Sequence, residues 1–90
     1  MNFSGLWINK QTGEIIKLSG PHGSDDYILE YGHDGNDFKL TETVPIYHSD
    51  DKHALLAHSE KFGRRDIFKI NSERFQIGDE VFEKYKQRDK

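Results

Sequence analysis

Short runs of apolar residues separated by turn-forming clusters recur along this chain, and most of the runs alternate with polar positions. Phe3-Ser4-Gly5-Leu6-Trp7-Ile8 ends in Asn9-Lys10-Gln11-Thr12-Gly13, which predicts a strand entering a hairpin. Glu14 to Ser19 predicts a second strand, broken by Gly20-Pro21-His22-Gly23-Ser24-Asp25-Asp26. Tyr27, Leu29 and Tyr31 then alternate with Ile28, Glu30 and Gly32. His33-Asp34-Gly35-Asn36 supplies a hairpin turn, and residues 37–43 return with Phe38 and Leu40 on the apolar side. Pro45 lacks a ladder donor, so Val44-Pro45-Ile46 belongs at an edge, a bulge or a strand end.

Residues 47–63 carry two competing patterns. Ser49 could cap a helix within 49–62, with Asp50 and Asp51 in its first turn, Leu55, Ser59 and Phe62 on one face and Gly63 as its stop. The alternative is a strand through His53-Ala54-Leu55-Leu56-Ala57-His58 followed by a loop, and it is preferred because consecutive short hairpins surround it. Beyond it, residues 65–70, 74–77 and 80–85 predict three strands, with turns at Asn71-Ser72-Glu73 and Gly78-Asp79. The pattern predicts one all-β domain over residues 1–85 and a charged tail at 86–90. Seven or eight short antiparallel strands at this spacing form a small meander barrel or a barrel-like sandwich.

Composition sharpens that expectation. Among the hydrophobic residues, Ile, Val, Phe, Tyr and Trp far outnumber Leu, Ala and Met, and branched or ring side chains suit a pleated surface. With no cysteine in the chain, packing and backbone ladders must hold the fold, and a cytoplasmic setting is expected. Residues 1–10 do not have the pattern of a signal peptide, and no stretch approaches the roughly 20 apolar residues of a membrane-spanning helix, so no membrane association is expected.

The net charge of −3 is unevenly spread. Residues 25–51 hold eight acids (Asp25, Asp26, Glu30, Asp34, Asp37, Glu42, Asp50, Asp51) against Lys39 alone, while the segment from Lys52 onward is mildly basic. This distribution argues against nucleic-acid binding, which needs clustered Lys and Arg. It points instead to a non-catalytic interaction module that presents an acidic face, with Asp25, Asp26, Asp34 and Asp37 as the contact residues, to a basic protein partner.

Gly5-Leu6-Trp7 near the start, the meander between, and the closing Gly78-Asp79-Glu80-Val81-Phe82-Glu83-Lys84-Tyr85 resemble the short bacterial lipocalin-like (calycin-type) domains. The resemblance implies a β-barrel with Trp7 at its closed end, covered by Arg64, Arg65 or Arg74. It also implies an alternative function, binding of a small apolar ligand in a cavity lined by Trp7, Tyr27, Leu29, Phe38 and Phe68. The chain is about half the usual length of that family, and short strands in a narrow barrel leave interior space for side chains only.

Other chemistry finds less support in the sequence. His48, His53 and His58 recur every five residues, a spacing that matches neither the i, i+4 of a helix nor the i, i+2 of a strand, so no metal site is expected. His33 to Asp37 lacks the ligand spacing of a calcium loop. No serine sits in a nucleophile-elbow context, no glycine-rich loop opens a helix, and nothing pairs two of the acids, so neither an enzyme nor a cofactor is expected.

Overall fold

Backbone ladders run unbroken around the molecule. A computed structural model describes residues 3–23, 25–33 and 38–86, and in these residues eight strands follow one another as an antiparallel meander that closes into a barrel. They are β1 (Gly5–Asn9), β2 (Glu14–His22), β3 (Asp26–Gly32), β4 (Leu40–His48), β5 (His53–Leu56), β6 (Arg65–Asn71), β7 (Arg74–Ile77) and β8 (Glu80–Lys84). Closure rests on Trp7 opposite Lys84 and Ile8 opposite Glu83, extended by the Tyr85 N–H donating to the Leu6 carbonyl at 2.9 Å. Joining the first strand to the last leaves no sheet edge open to another chain.

The period-2 pattern sorts the side chains. Trp7, Ile16, Leu18, Tyr27, Leu29, Val44, Ile46, Ala54, Leu56, Ile67, Phe75, Ile77 and Phe82 form one buried cluster inside the barrel, with Tyr31 packed partly against it. Rings meet at its centre: Phe75 lies edge-on to Trp7 at 4.6 Å and stacks beside Phe82 at 5.8 Å. Burying each such side chain contributes roughly 1.5–3 kcal/mol, so a thin barrel of this kind is held mainly by its interior.

Two expectations change, while the strand preferred within 53–58 is present. The second strand does not stop at Gly20: β2 continues to His22 through a bulge between Ser19 and His22. Gly20 has φ of 146°, and a Cβ there would lie 2.8 Å from the Asp26 carbonyl, so only glycine fits the bulge. Pro45 lies within β4 rather than at its end. Its carbonyl accepts from the Ala57 N–H at 3.1 Å, so its nitrogen faces the same side, just past the point where β5 has ended, and the missing donor interrupts no ladder.

The helix alternative for 49–62 is replaced by β5 and a loop, and no helix occurs among the described residues. Ala54 and Leu56 point inward while His53 and Leu55 are half-buried on the outer face, which is strand alternation. The helix signals at Ser59 and Gly63 are used in a single turn: the Gly63 N–H donates to the Ser59 carbonyl at 2.7 Å, and Gly63 takes φ of 71°. Asp34, Gly35 and Asn36 of the expected hairpin turn, and residues 87–90 of the expected tail, lie outside the described residues.

Candidate functional site

The meander gives the barrel two rims of different character. At one rim lie the 10–13 turn, the 57–64 loop and the 78–79 turn; at the other lie the start of β1, the β2–β3 turn, the 49–52 loop and the 72–73 turn. A phenylalanine from outside the strands plugs each: Phe62 the first, Phe3 the second, exposed by only 6% and 2%.

At the Phe62 rim three half-buried charges, Glu42, Lys61 and Glu14, are engaged within the fold. The Glu42 carboxylate accepts hydrogen bonds from the Ser59 hydroxyl at 2.7 Å and from the N–H groups of Glu60 and Lys61 at 2.9 and 3.2 Å. The Ser59 oxygen in turn accepts from the N–H groups of Lys61 and Phe62, both at 3.1 Å. Burial alone would push the Glu42 carboxyl up, but these bonds, with help from nearby His58, outweigh it and hold the group below its ordinary range. Lys61 pairs with Glu14 at 2.6 Å, both side chains being largely covered, and its ammonium sits 4.1 Å from the centre of the Tyr31 ring.

At the Phe3 rim the charges are divided between two groups, an acidic and a basic pole, which adjoin where the Lys69 N–H donates to the Lys52 carbonyl at 2.8 Å. The acidic pole has Asp25 on the β2–β3 turn, Asp26 at the start of β3, and Asp50 and Asp51 on the β4–β5 loop. Asp50 is used locally, accepting from the N–H groups of Lys52 and His53 at 2.8 Å. Among the described residues Asp25, Asp26 and Asp51 belong to no ion pair. His48 stacks on Phe3 at 5.4 Å; burial keeps its imidazole below the usual pKa, opposed by the Asp25 carboxylate. Tyr27, inside the same rim, has its phenol raised by burial, with a backbone hydrogen bond at Phe3 working against this and Asp25 adding to it.

The basic pole is formed by β6, β7 and β8. Lys69 pairs with buried Phe75 and so shares the inward face of the sheet. Lys84 places its ammonium 5.6 Å from the centre of the Trp7 ring, and Arg74 pairs with Glu83 at 3.3 Å. Two concavities adjoin here. One of about 400 Å³ is wholly polar, bounded by Asn71, Ser72, Glu73, Arg74, Glu83 and Lys84. The other, about 200 Å³, has Phe3, Trp7 and Phe75 as its floor and Lys69, Asn71, Ser72 and Arg74 as its wall.

The residues expected to line a single apolar cavity are only partly brought together, Trp7, Tyr27 and Leu29 in the packed core and Phe68 away from it. Trp7, Tyr27 and Leu29 are core residues exposed by 4% or less, and Phe38 is half-buried just before β4. Phe68 is corrected to the outer face: it is 48% exposed and stacks on His53 at 4.9 Å. The cation over Trp7 is Lys84 rather than an arginine; the Trp7 indole N–H donates to the Phe3 carbonyl at 2.9 Å. Arg74 borders the same pocket, whereas Arg65 packs against Gly78 and Arg64 is exposed.

Of the expected acidic contact residues, Asp25 and Asp26 stand at the Phe3 rim, and Asp34 and Asp37 lie outside the described residues. The three histidines diverge: His48 stacks on Phe3, His53 lies on the outer face 3.2 Å from Asp66, and His58 lies in the loop of the opposite rim. No group of three or more metal-ligating side chains gathers among the described residues. Sequence reasoning missed Lys69 and Lys84, whose alternation with apolar neighbours on β6 and β8 was the available signal. Comparison with protein-family models, with curated proteins and with solved structures found no match.

Proposed function

We propose that this protein is a non-catalytic interaction module of the short bacterial lipocalin-like type, working in the cytoplasm, which meets a basic protein partner through the acidic segment 25–51. The observation that carries this reading is the set of unpaired carboxylates at the Phe3 rim. Asp25, Asp26 and Asp51 stand on or next to two neighbouring connections without a cationic partner among the described residues. Loops on a rigid barrel are free to carry recognition, and carboxylates left unneutralised steer a cationic partner over several ångströms of solvent. The packed interior favours a surface function over an enclosed apolar ligand.

The test is binding of a fluorescent lysine- and arginine-rich peptide, followed by anisotropy at low and moderate salt. The reading expects affinity to fall as salt rises and to drop about ten-fold or more when Asp25, Asp26, Asp34 and Asp37 are all changed to Asn. A control set of equal charge, Glu60, Asp66, Glu73 and Asp79 changed to amides, should leave affinity largely intact. Equal loss with both sets would reduce the effect to net charge and overturn the reading.

A further inference from the structure

We infer that the pocket at the basic pole of the Phe3 rim is a binding site for a small organic anion with a flat apolar body, headed by a phosphate or carboxylate. This goes beyond the acidic face and does not depend on it.

Lys69 carries the argument. Its register opposite Phe75 puts it on the inward face of β6, where the neighbouring inward residue Ile67 is fully buried. Lys69 itself is half-buried, and a cation drawn partly out of water gains from an anion beside it. Yet among the described residues neither Lys69 nor Lys84 belongs to an ion pair, in contrast to Lys61 at the other rim, which is matched with Glu14.

The wall of the pocket agrees with that unmatched charge. Lys69 and Arg74, the latter also paired with Glu83 at 3.3 Å, border it together with the neutral donors of Asn71 and Ser72, and no carboxylate does so among the described residues. Glu73 and Glu83 face the adjoining polar cleft instead. Phe3, Trp7 and Phe75 form the floor, so an occupant meets aromatic surface below and positive charge around it. At about 200 Å³ the space is smaller than the ~300–1,000 Å³ typical of pockets for drug-sized ligands, which restricts the occupant to a body about the size of one ring.

The chain has one tryptophan, Trp7, and it lies in the pocket floor, so its emission reports occupancy directly. Phenylphosphate, benzoate, inorganic phosphate and benzyl alcohol would be titrated by calorimetry, with Trp7 emission read in parallel. Phenylphosphate or benzoate should bind saturably with a Kd on the order of 1 mM and shift the emission, and benzyl alcohol should not bind. The difference between phenylphosphate and benzoate identifies the head group. Weaker binding of inorganic phosphate than of phenylphosphate assigns a role to the aromatic floor.

Lys69→Gln should weaken the better probe about ten-fold, and Lys84→Gln, at an exposed position, should weaken it to a smaller degree, with the fold of each variant checked by thermal unfolding. The inference is overturned by any of three results: no saturable binding of either aromatic anion, unchanged affinity in both folded variants, or benzyl alcohol binding as tightly as phenylphosphate.

Discussion

The two rims of the barrel are closed by the same device and finished differently. Each takes a phenylalanine from outside the strands, Phe62 or Phe3, and sets it against the ring cluster: Phe62 edge-on to Phe82 at 6.0 Å, Phe3 edge-on to Phe75 at 5.4 Å. At the Phe62 rim the half-buried charges Glu42, Lys61 and Glu14 then have structural duties. Glu42 fastens the 59–62 turn, and Lys61, Glu14 and Tyr31 lock over it. At the Phe3 rim Asp25, Asp26 and Asp51 have no ion-pair partner among the described residues, nor do Lys69, which borders the pocket with the aromatic floor, and Lys84, which lies over Trp7. Charges already satisfied within the fold gain little from a ligand, whereas unmatched ones have their strongest interactions still to make. On the proposed reading the contrast assigns binding to the Phe3 rim, while the engaged charges of the Phe62 rim serve stability.

Substitutions can break that division of labour, and the largest effect is expected where the first plug is removed. Phe62→Ala should lower unfolding free energy by about 3–5 kcal/mol in a urea titration, since it empties a buried ring site beside Phe82. A loss below about 1 kcal/mol would mean that the 57–64 loop merely lies on the barrel.

Next in size is Glu42. Its folded pKa lies below the usual 4.5, so the unfolded chain takes up a proton before the folded one does as pH falls. Its contribution is thus complete above about pH 4.5 and is lost as pH drops through the depressed folded value. Glu42→Gln should cost about 1–3 kcal/mol at pH 7 and flatten the acid limb of the stability curve. An unchanged acid limb would show that the carboxylate does not fasten the turn.

The smallest effect sharpens the comparison from the other side. Asp25→Asn and Asp26→Asn should each change stability by no more than about 0.5 kcal/mol, because these charges have no salt-bridge partner to lose among the described residues, and Lys84→Gln by no more than about 1 kcal/mol, the worth of its contact with the Trp7 ring. A Lys84→Gln variant destabilised by 2 kcal/mol or more, well above the ~0.5–1 kcal/mol of an exposed cation–π contact, would make the basic pole structural after all.

Much of this architecture was legible in the chain. Alternation at Tyr27, Leu29 and Tyr31, and at Phe75 and Ile77, together with turn residues at Asn9 to Gly13, Asn71 to Glu73 and Gly78-Asp79, located strands and hairpins because both depend on local chemistry. The acidity of residues 25–51 was equally plain. Less legible were the features whose causes are distant in sequence. Phe68 read as an interior ring, yet one register step decides which face a strand residue takes, and its partner Gln76 lies on the outside of the barrel. The helix signals of Ser49 to Gly63 were real, but Ala54 and Leu56 find buried places only if the segment pairs with β4 and β6.

By itself, then, the sequence determined an all-β meander, its hairpin positions and an acidic middle segment. Tertiary structure decided the closure of β1 on β8, the use of Phe3 and Phe62 as plugs, and the gathering of Lys69, Arg74 and Lys84 around Trp7 and Phe75. These depend on contacts between residues as far apart as Trp7 and Lys84, and no local pattern encodes which strand comes round to meet the first.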